Sequence, residues 1–99
     1  MSDHARVIRI LVLRPSAGHR DELVDLCEEA AERARQFDGN FGVQVCNVRE
    51  DPGDVCVISR WEDASGPERM QKLNDEFRPR YTKLIGDNEP RLYHLTPIE

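Results

Sequence analysis

The sequence predicts an α+β fold in the order βαββαβ, with an antiparallel sheet and the helices on one face. Three observations predict it. Apolar runs of strand length occur at residues 5–14, 41–50, 55–62 and 91–96. Helical apolar spacing runs over 19–37 and again over 65–85. A Pro-Gly turn at 51–54 is short enough to fold its two flanking strands into a hairpin. The chain has 99 residues, which suits one domain, 1–99, around one core. A domain of this size buries roughly two-thirds of the surface its unfolded chain exposes. A large ligand pocket is therefore expected to need a second chain.

The first strand, "ARVIRILVLR", is apolar on both faces with Arg9 as its only interior charge, so both faces should be covered. Pro15 ends it, and "PSAGH" supplies a turn. In the first helix Leu23, Leu26, Cys27, Ala30, Ala34 and Phe37 form one stripe, while acidic and basic residues fill the other side. Asp21 and Glu22 lie in its first turn, opposing the positive dipole end. The small Ala30, Ala31 and Ala34 predict close approach to a sheet. "DGN" at 38–40 suits positive φ. In the second strand Phe41, Val43 and Val45 share one face; in the third, Val55, Val57, Ser59 and Trp61 share one face and Cys56, Ile58 and Arg60 the other.

"SGPE" at 65–68 has the form of a capping box, with Ser65 as cap and Glu68 at the third position. Pro79 would interrupt a long helix. The spacing predicts a short helix to about Asn74, then a new one capped by Asp75 with Pro79 in its first turn. Gly86 is a natural stop. The last strand, "RLYHLT", is bracketed by Pro90 and Pro97.

Composition excludes several functions. Charged residues make up 33% of the chain and the net charge is -5, which argues against sequence-independent nucleic-acid binding; Arg78, Arg80 and Arg91 are local exceptions, expected to be solvated. The apolar run near the N-terminus is short, broken by Arg9 and without a cleavage site, and no stretch approaches the ~20 apolar residues of a membrane span. A soluble, cytoplasmic protein is expected. Cys27, Cys46 and Cys56 are odd in number and fit no zinc spacing, which predicts reduced, structural thiols. No phosphate loop, nucleophile elbow or H-E-x-x-H motif is present, and no cofactor or metal is expected.

Element order and split second helix match the ferredoxin-like pattern. Helices cover one face of such a sheet, yet these strands are apolar on both. The simplest cover for the open face is the same face of a second copy, giving a twofold homodimer. A strand, a turn and an acidic helix, then "FDGNFGVQVCNVREDPGDVCVISRWED", a helix and a short last strand, resemble the antibiotic biosynthesis monooxygenase-like proteins, which form dimeric α/β barrels. The resemblance implies a cleft between helices and sheet or inside the barrel. It also implies a cofactor-independent monooxygenase that holds and deprotonates an aromatic or quinol-type small molecule for reaction with O₂. Haem-degrading relatives use an Asn on the first strand, a Trp ending the third and a His on the next helix. Trp61 matches, but the first strand offers Val7, Arg9 and Leu11, and the helix offers Met70, Gln71 and Lys72. Haem degradation is thus not expected.

Within that reading the candidate base is His94, whose ordinary pKa lies near neutrality; the plainer expectation is a structural hydrogen-bond donor. Trp61 would be a flat pocket wall or, equally, a core plug. Arg9 or Arg60 would hold a phenolate or carboxylate through a two-pronged hydrogen bond. Tyr81 and Tyr93 would donate phenolic hydrogen bonds, and Asn47 is a polar strand candidate. His4 and His19 are expected to be exposed and idle. The alternative is a non-catalytic binding or dimerisation module in which Trp61 is core.

Overall fold

A computed structural model describes residues 5–98; His4 lies outside them. In chain order come β1 (Val7–Leu13), α1 (Arg20–Ala34), β2 (Asn40–Asn47), β3 (Val55–Trp61), α2 (Ser65–Arg69), α3 (Gln71–Ile85) and β4 (Arg91–Leu95). The four strands form one sheet in the order β2-β3-β1-β4, antiparallel throughout. This is the expected α+β, ferredoxin-like arrangement.

Register divides the sheet into two faces. Val7, Arg9, Leu11 and Leu13 of β1 stand opposite Trp61, Ser59, Val57 and Val55 of β3. Directly opposite residues share a face, and Val43 and Val45 of β2 join this one. The helices pack here: Leu26, Ala31 and Ala34 of α1 and Leu73 and Phe77 of α3 close on Val43 and Trp61. A second cluster gathers Leu23 and Cys27 of α1 and Ile85 of α3 over Leu13 and Val55. The other face carries Ile8, Ile10 and Val12 opposite Arg60, Ile58 and Cys56, with Tyr93 and Leu95 beside Ile10 and Ile8. No helix covers it.

Gly39 provides the positive φ expected of "DGN", at 82°. Asp54 anchors the far end of the sheet. It is fully buried at the head of β3 and accepts hydrogen bonds from Arg14 Nε at 2.7 Å and Arg91 Nη2 at 2.8 Å. One carboxylate thus ties the end of β1 to the start of β4.

Four details differ from expectation. A bulge between Asn40 and Gly42 takes Phe41 out of step, so Phe41 is exposed rather than inside with Val43. The second helical region breaks at Met70, not at Asn74. Pro79 therefore sits inside α3; the buried stripe of Leu73, Phe77 and Ile85 holds the helix together across it. Ser65 does not cap. Asp63 accepts from the Ser65 amide at 3.0 Å and from its hydroxyl at 2.6 Å, two residues earlier than the capping-box spacing places the acceptor.

Candidate functional site

A cavity of about 60 Å³ lies between the helices and the inner sheet face. Ala30, Ala31 and Ala34 of α1 line it, and Ala31 and Ala34 are buried in one cluster with Val43 and Trp61 of the sheet, as the small residues of the stripe were expected to allow. Most of the lining is apolar, and the polar groups are few: Arg9 of β1, Ser59 of β3, and Asn74 and Tyr81 of α3. The cavity is small and partly open, lined by the sheet, α1 and α3.

Arg9 is the charge in this space. It has no carboxylate or hydrogen-bond acceptor among the described residues. Burial lowers its pKa, opposed only by the nearby Tyr81. An unpaired guanidinium against apolar walls is unfavourable unless an acceptor joins it. Two arginines at the helices are matched: Arg80 holds Glu29 through two bonds of 2.9 Å, Arg33 pairs with Glu76, and both lie over the Phe77 ring. Cys27 also lines the cavity. Burial, helped by Glu28, pushes its thiol up to about 11, so it stays protonated and unreactive at neutral pH.

Trp61 is fully buried and is not part of the lining. Its ring meets Phe37 edge-on at 6.4 Å, and its indole nitrogen donates to Ser59 Oγ at 3.0 Å. Gly66 of α2 lies flat against it, so closely that a Cβ there would fall 2.3 Å from Trp61 Cε3. The tryptophan touches the cavity only through the hydroxyl it orients on Ser59.

The other sequence candidates separate. His94 is the cross-strand partner of Arg9, so both are on the inner face, but β4 lies beyond the helices and His94 is exposed outside the lining. Arg60 is on the opposite face, donating to Gln44 Oε1 at 3.2 Å. Tyr93 is on that outer face beside Ile10 and is exposed. Asn47 ends β2 in solvent, accepting from Arg20. Of the predicted set, Arg9 and Tyr81 meet at the cavity, with His94 next to Arg9 at its flank. Sequence reasoning passed over Ser59 and Asn74. Each had a signal: Ser59 is the one polar residue in the Val55, Val57, Ser59, Trp61 alternation, and Asn74 falls one turn from both Met70 and Phe77 in the buried stripe. Among the described residues no set of His, Cys, Asp or Glu side chains converges as a metal site, and no helix is long and apolar enough to cross a membrane.

Fold and cavity together define a class: small α+β proteins with a half-covered antiparallel sheet and a small, mostly apolar cavity under the helices. The family model described as antibiotic biosynthesis monooxygenase matches residues 6–78, and the chain belongs to that family. Membership carries monooxygenase chemistry at the level of the family and leaves the substrate open. Among solved structures, Rv0793 from Mycobacterium tuberculosis is similar with a TM-score of 0.82 and 17% identity, over 94% of this chain and 95% of that one. A Deinococcus radiodurans protein provisionally described as an antibiotic biosynthesis monooxygenase is similar with a TM-score of 0.80 and 20% identity, over 94% and 93%. PA3566 from Pseudomonas aeruginosa is similar with a TM-score of 0.79 and 18% identity, over the whole of both chains. At these identities the likeness is one of fold. No curated protein matches the sequence.

Proposed function

We propose that the protein is a cofactor-independent monooxygenase that binds an aromatic or quinol-type small molecule by an acidic oxygen, held at Arg9. The observation that carries this reading is the half-buried guanidinium of Arg9, without an acceptor among the described residues, in a mostly apolar cavity. A phenolate or carboxylate there would satisfy the charge and be oriented by it. Tyr81, Ser59 and Asn74 offer further hydrogen-bonding groups. In this chemistry a ring CH₂ gives up a proton, the carbanion is oxidised by O₂, one oxygen atom becomes the new carbonyl and the other leaves as water. His94, next to Arg9 across the strands, is the base we assign, and it reaches the substrate from the flank of the cavity.

Size constrains the substrate pose. An apolar protein cavity that holds benzene measures about 150 Å³, more than twice the about 60 Å³ present. The acidic head would enter beside Arg9, and a ring needs the helices to part at the α2–α3 break, where Met70 forms part of the wall. The second reading, a non-catalytic binding or dimerisation module, is favoured by the same small volume and by the sealed packing of Trp61 on Gly66. We assign the protein to a homodimer joined through the open sheet faces, in a reducing cytoplasmic compartment. The apolar outer face and the three free thiols support these assignments.

Calorimetric titration with 1-naphthoate and 1,4-dihydroxynaphthalene tests the assignment, followed by oxygen uptake with any binder. Saturable binding is expected in the native protein, weakened at least about tenfold, or about 1.4 kcal/mol, in Arg9→Met. Equal affinity in Arg9→Met would remove Arg9 from the site. Binding of 1,4-dihydroxynaphthalene without oxygen uptake above its own autoxidation would support the non-catalytic reading.

A further inference from the structure

Trp61 does not line the cavity, yet it fixes the polarity of a residue that does. Ser59 stands in β3, a strand with β2 on one side and β1 on the other, and is 3% exposed. Its hydroxyl oxygen accepts the Trp61 indole N–H at 3.0 Å. The indole is held in place, because Phe37 meets it edge-on and Gly66 lies flat against it. A hydroxyl has one proton to give and two lone pairs. One lone pair is committed to Trp61, and the proton points away from the indole N–H. That proton has no acceptor among the described residues, and a buried donor left unpaired is unfavourable. The open space at Ser59 is the cavity, which it lines together with Arg9. The two residues are direct cross-strand partners, and such pairs hold their Cβ atoms about 4.5–5.5 Å apart. Arg9 carries donors only. Asn74 and Tyr81, the other polar groups of the lining, can each donate or accept and set no polarity. What Arg9 and Ser59 lack in common is an acceptor.

We propose that Ser59, oriented by Trp61, is a specificity-determining residue that donates to the second oxygen of a carboxylate whose first oxygen Arg9 holds. The proposal rests on the reading of Arg9 as the holder of an acidic oxygen, and it narrows the ligand from any acidic oxygen to a carboxylate borne on a ring. A carboxylate has two oxygens and accepts through both, so it meets both donors at once. A neutral phenol or quinol presents one oxygen at the same place, together with a proton that neither Arg9 nor the indole-bound Ser59 is placed to take up. It leaves one of the two donors unpaired, and an unpaired buried group is what makes a polar site selective. Hydrogen bonds in a chain polarise one another, so donation to an anion also strengthens the bond from Trp61 to Ser59. Trp61 thereby acts on the ligand without touching it, as a positioning residue. The cavity of about 60 Å³ receives the carboxylate head, and the ring lies outward, toward Met70.

The test is calorimetric titration at neutral pH with 1-naphthoate and 1-naphthol, which share a ring system and differ in the head. The native protein is expected to bind naphthoate more tightly than naphthol. Ser59→Ala is expected to weaken naphthoate about tenfold or more, the loss of one hydrogen bond to a charged group, and to leave naphthol within about twofold of native. Ser59→Cys keeps a sulfur beside the indole but donates weakly, and is expected to show the same selective loss in a fully packed core. Arg9→Met separates the two levels of the argument. Naphthoate affinity that falls in Arg9→Met but stays native in both Ser59 variants would overturn the role of Ser59 and leave Arg9 as the holder. Equal weakening of both ligands in the Ser59 variants would mark a packing role and overturn the proposal as well, as would a native preference for naphthol. Naphthoate that does not bind the native protein, or binds Arg9→Met as tightly, would remove the Arg9 site and this proposal with it.

Discussion

At the scale of single residues, Gly66 carries more of the architecture than its size suggests. It lies in α2, where alanine would favour the helix by about 1 kcal/mol. A Cβ there would meet Trp61 Cε3 at 2.3 Å, and Trp61 is fixed by Phe37 and by its bond to Ser59. Overpacking a fixed neighbour costs about 1–3 kcal/mol, so steric conflict outweighs propensity. Gly66→Ala is expected to lose up to about 2 kcal/mol in urea unfolding and to alter the near-ultraviolet signal of Trp61. An unchanged midpoint would mean that the indole moves freely, contrary to its packing. The same contact explains why the role of Trp61 was hard to read. The sequence places a tryptophan at a strand end, but only the approach of Gly66 decides between wall and plug. Arg9 was legible as a charge inside an apolar strand; its lack of a partner depends on which side chains reach it from α1 and α3.

At the scale of elements, strand and helix types followed from periodicity, and the errors fall where local chemistry competes with packing. Pro79 was read as a helix start because proline removes a donor. In α3 the donor it removes would have reached the carbonyl of Asp75 on an exposed surface, where water serves instead. The inward stripe on either side kept the helix continuous. The cost of the proline remains in the folded state, so replacing it stabilises. Proline in a helix interior is about 3 kcal/mol less favourable than alanine, and the looser unfolded chain returns up to about 1 kcal/mol. Pro79→Ala is expected to gain about 2–3 kcal/mol, read as a higher urea midpoint with unchanged slope. A loss would show that the proline conformation is needed at this point in α3. The break at Met70 had no such sequence mark, since neither proline nor glycine occupies it; Gly66 and Pro67 lie just ahead of it, inside α2.

At the scale of the whole molecule, the unanswered surface is the outer sheet face. Ile8, Ile10, Val12 and Ile58 lie there in adjacent register positions with Tyr93 and Leu95 at their side. Sequence alternation made this face legible, because apolar residues fell on both sides of β1 while helices could cover only one. β4 adds a second feature: all of its residues are exposed, including Leu92, which stands on the inner face beside Leu11. A partner that covers the outer face and wraps the β4 edge would shield both sets. Ile58 tests this best, since it sits on a central strand with neighbours in β1 and β2. A lysine there can extend its ammonium into water in a monomer. In a dimer joined through this face it would bury two like charges against each other. Ile58→Lys is therefore expected to remain folded and to sediment as a monomer where the native protein sediments as a dimer. A native monomer at the same concentration would leave the outer face free for another partner, and an Ile58→Lys dimer would move the interface to a different surface.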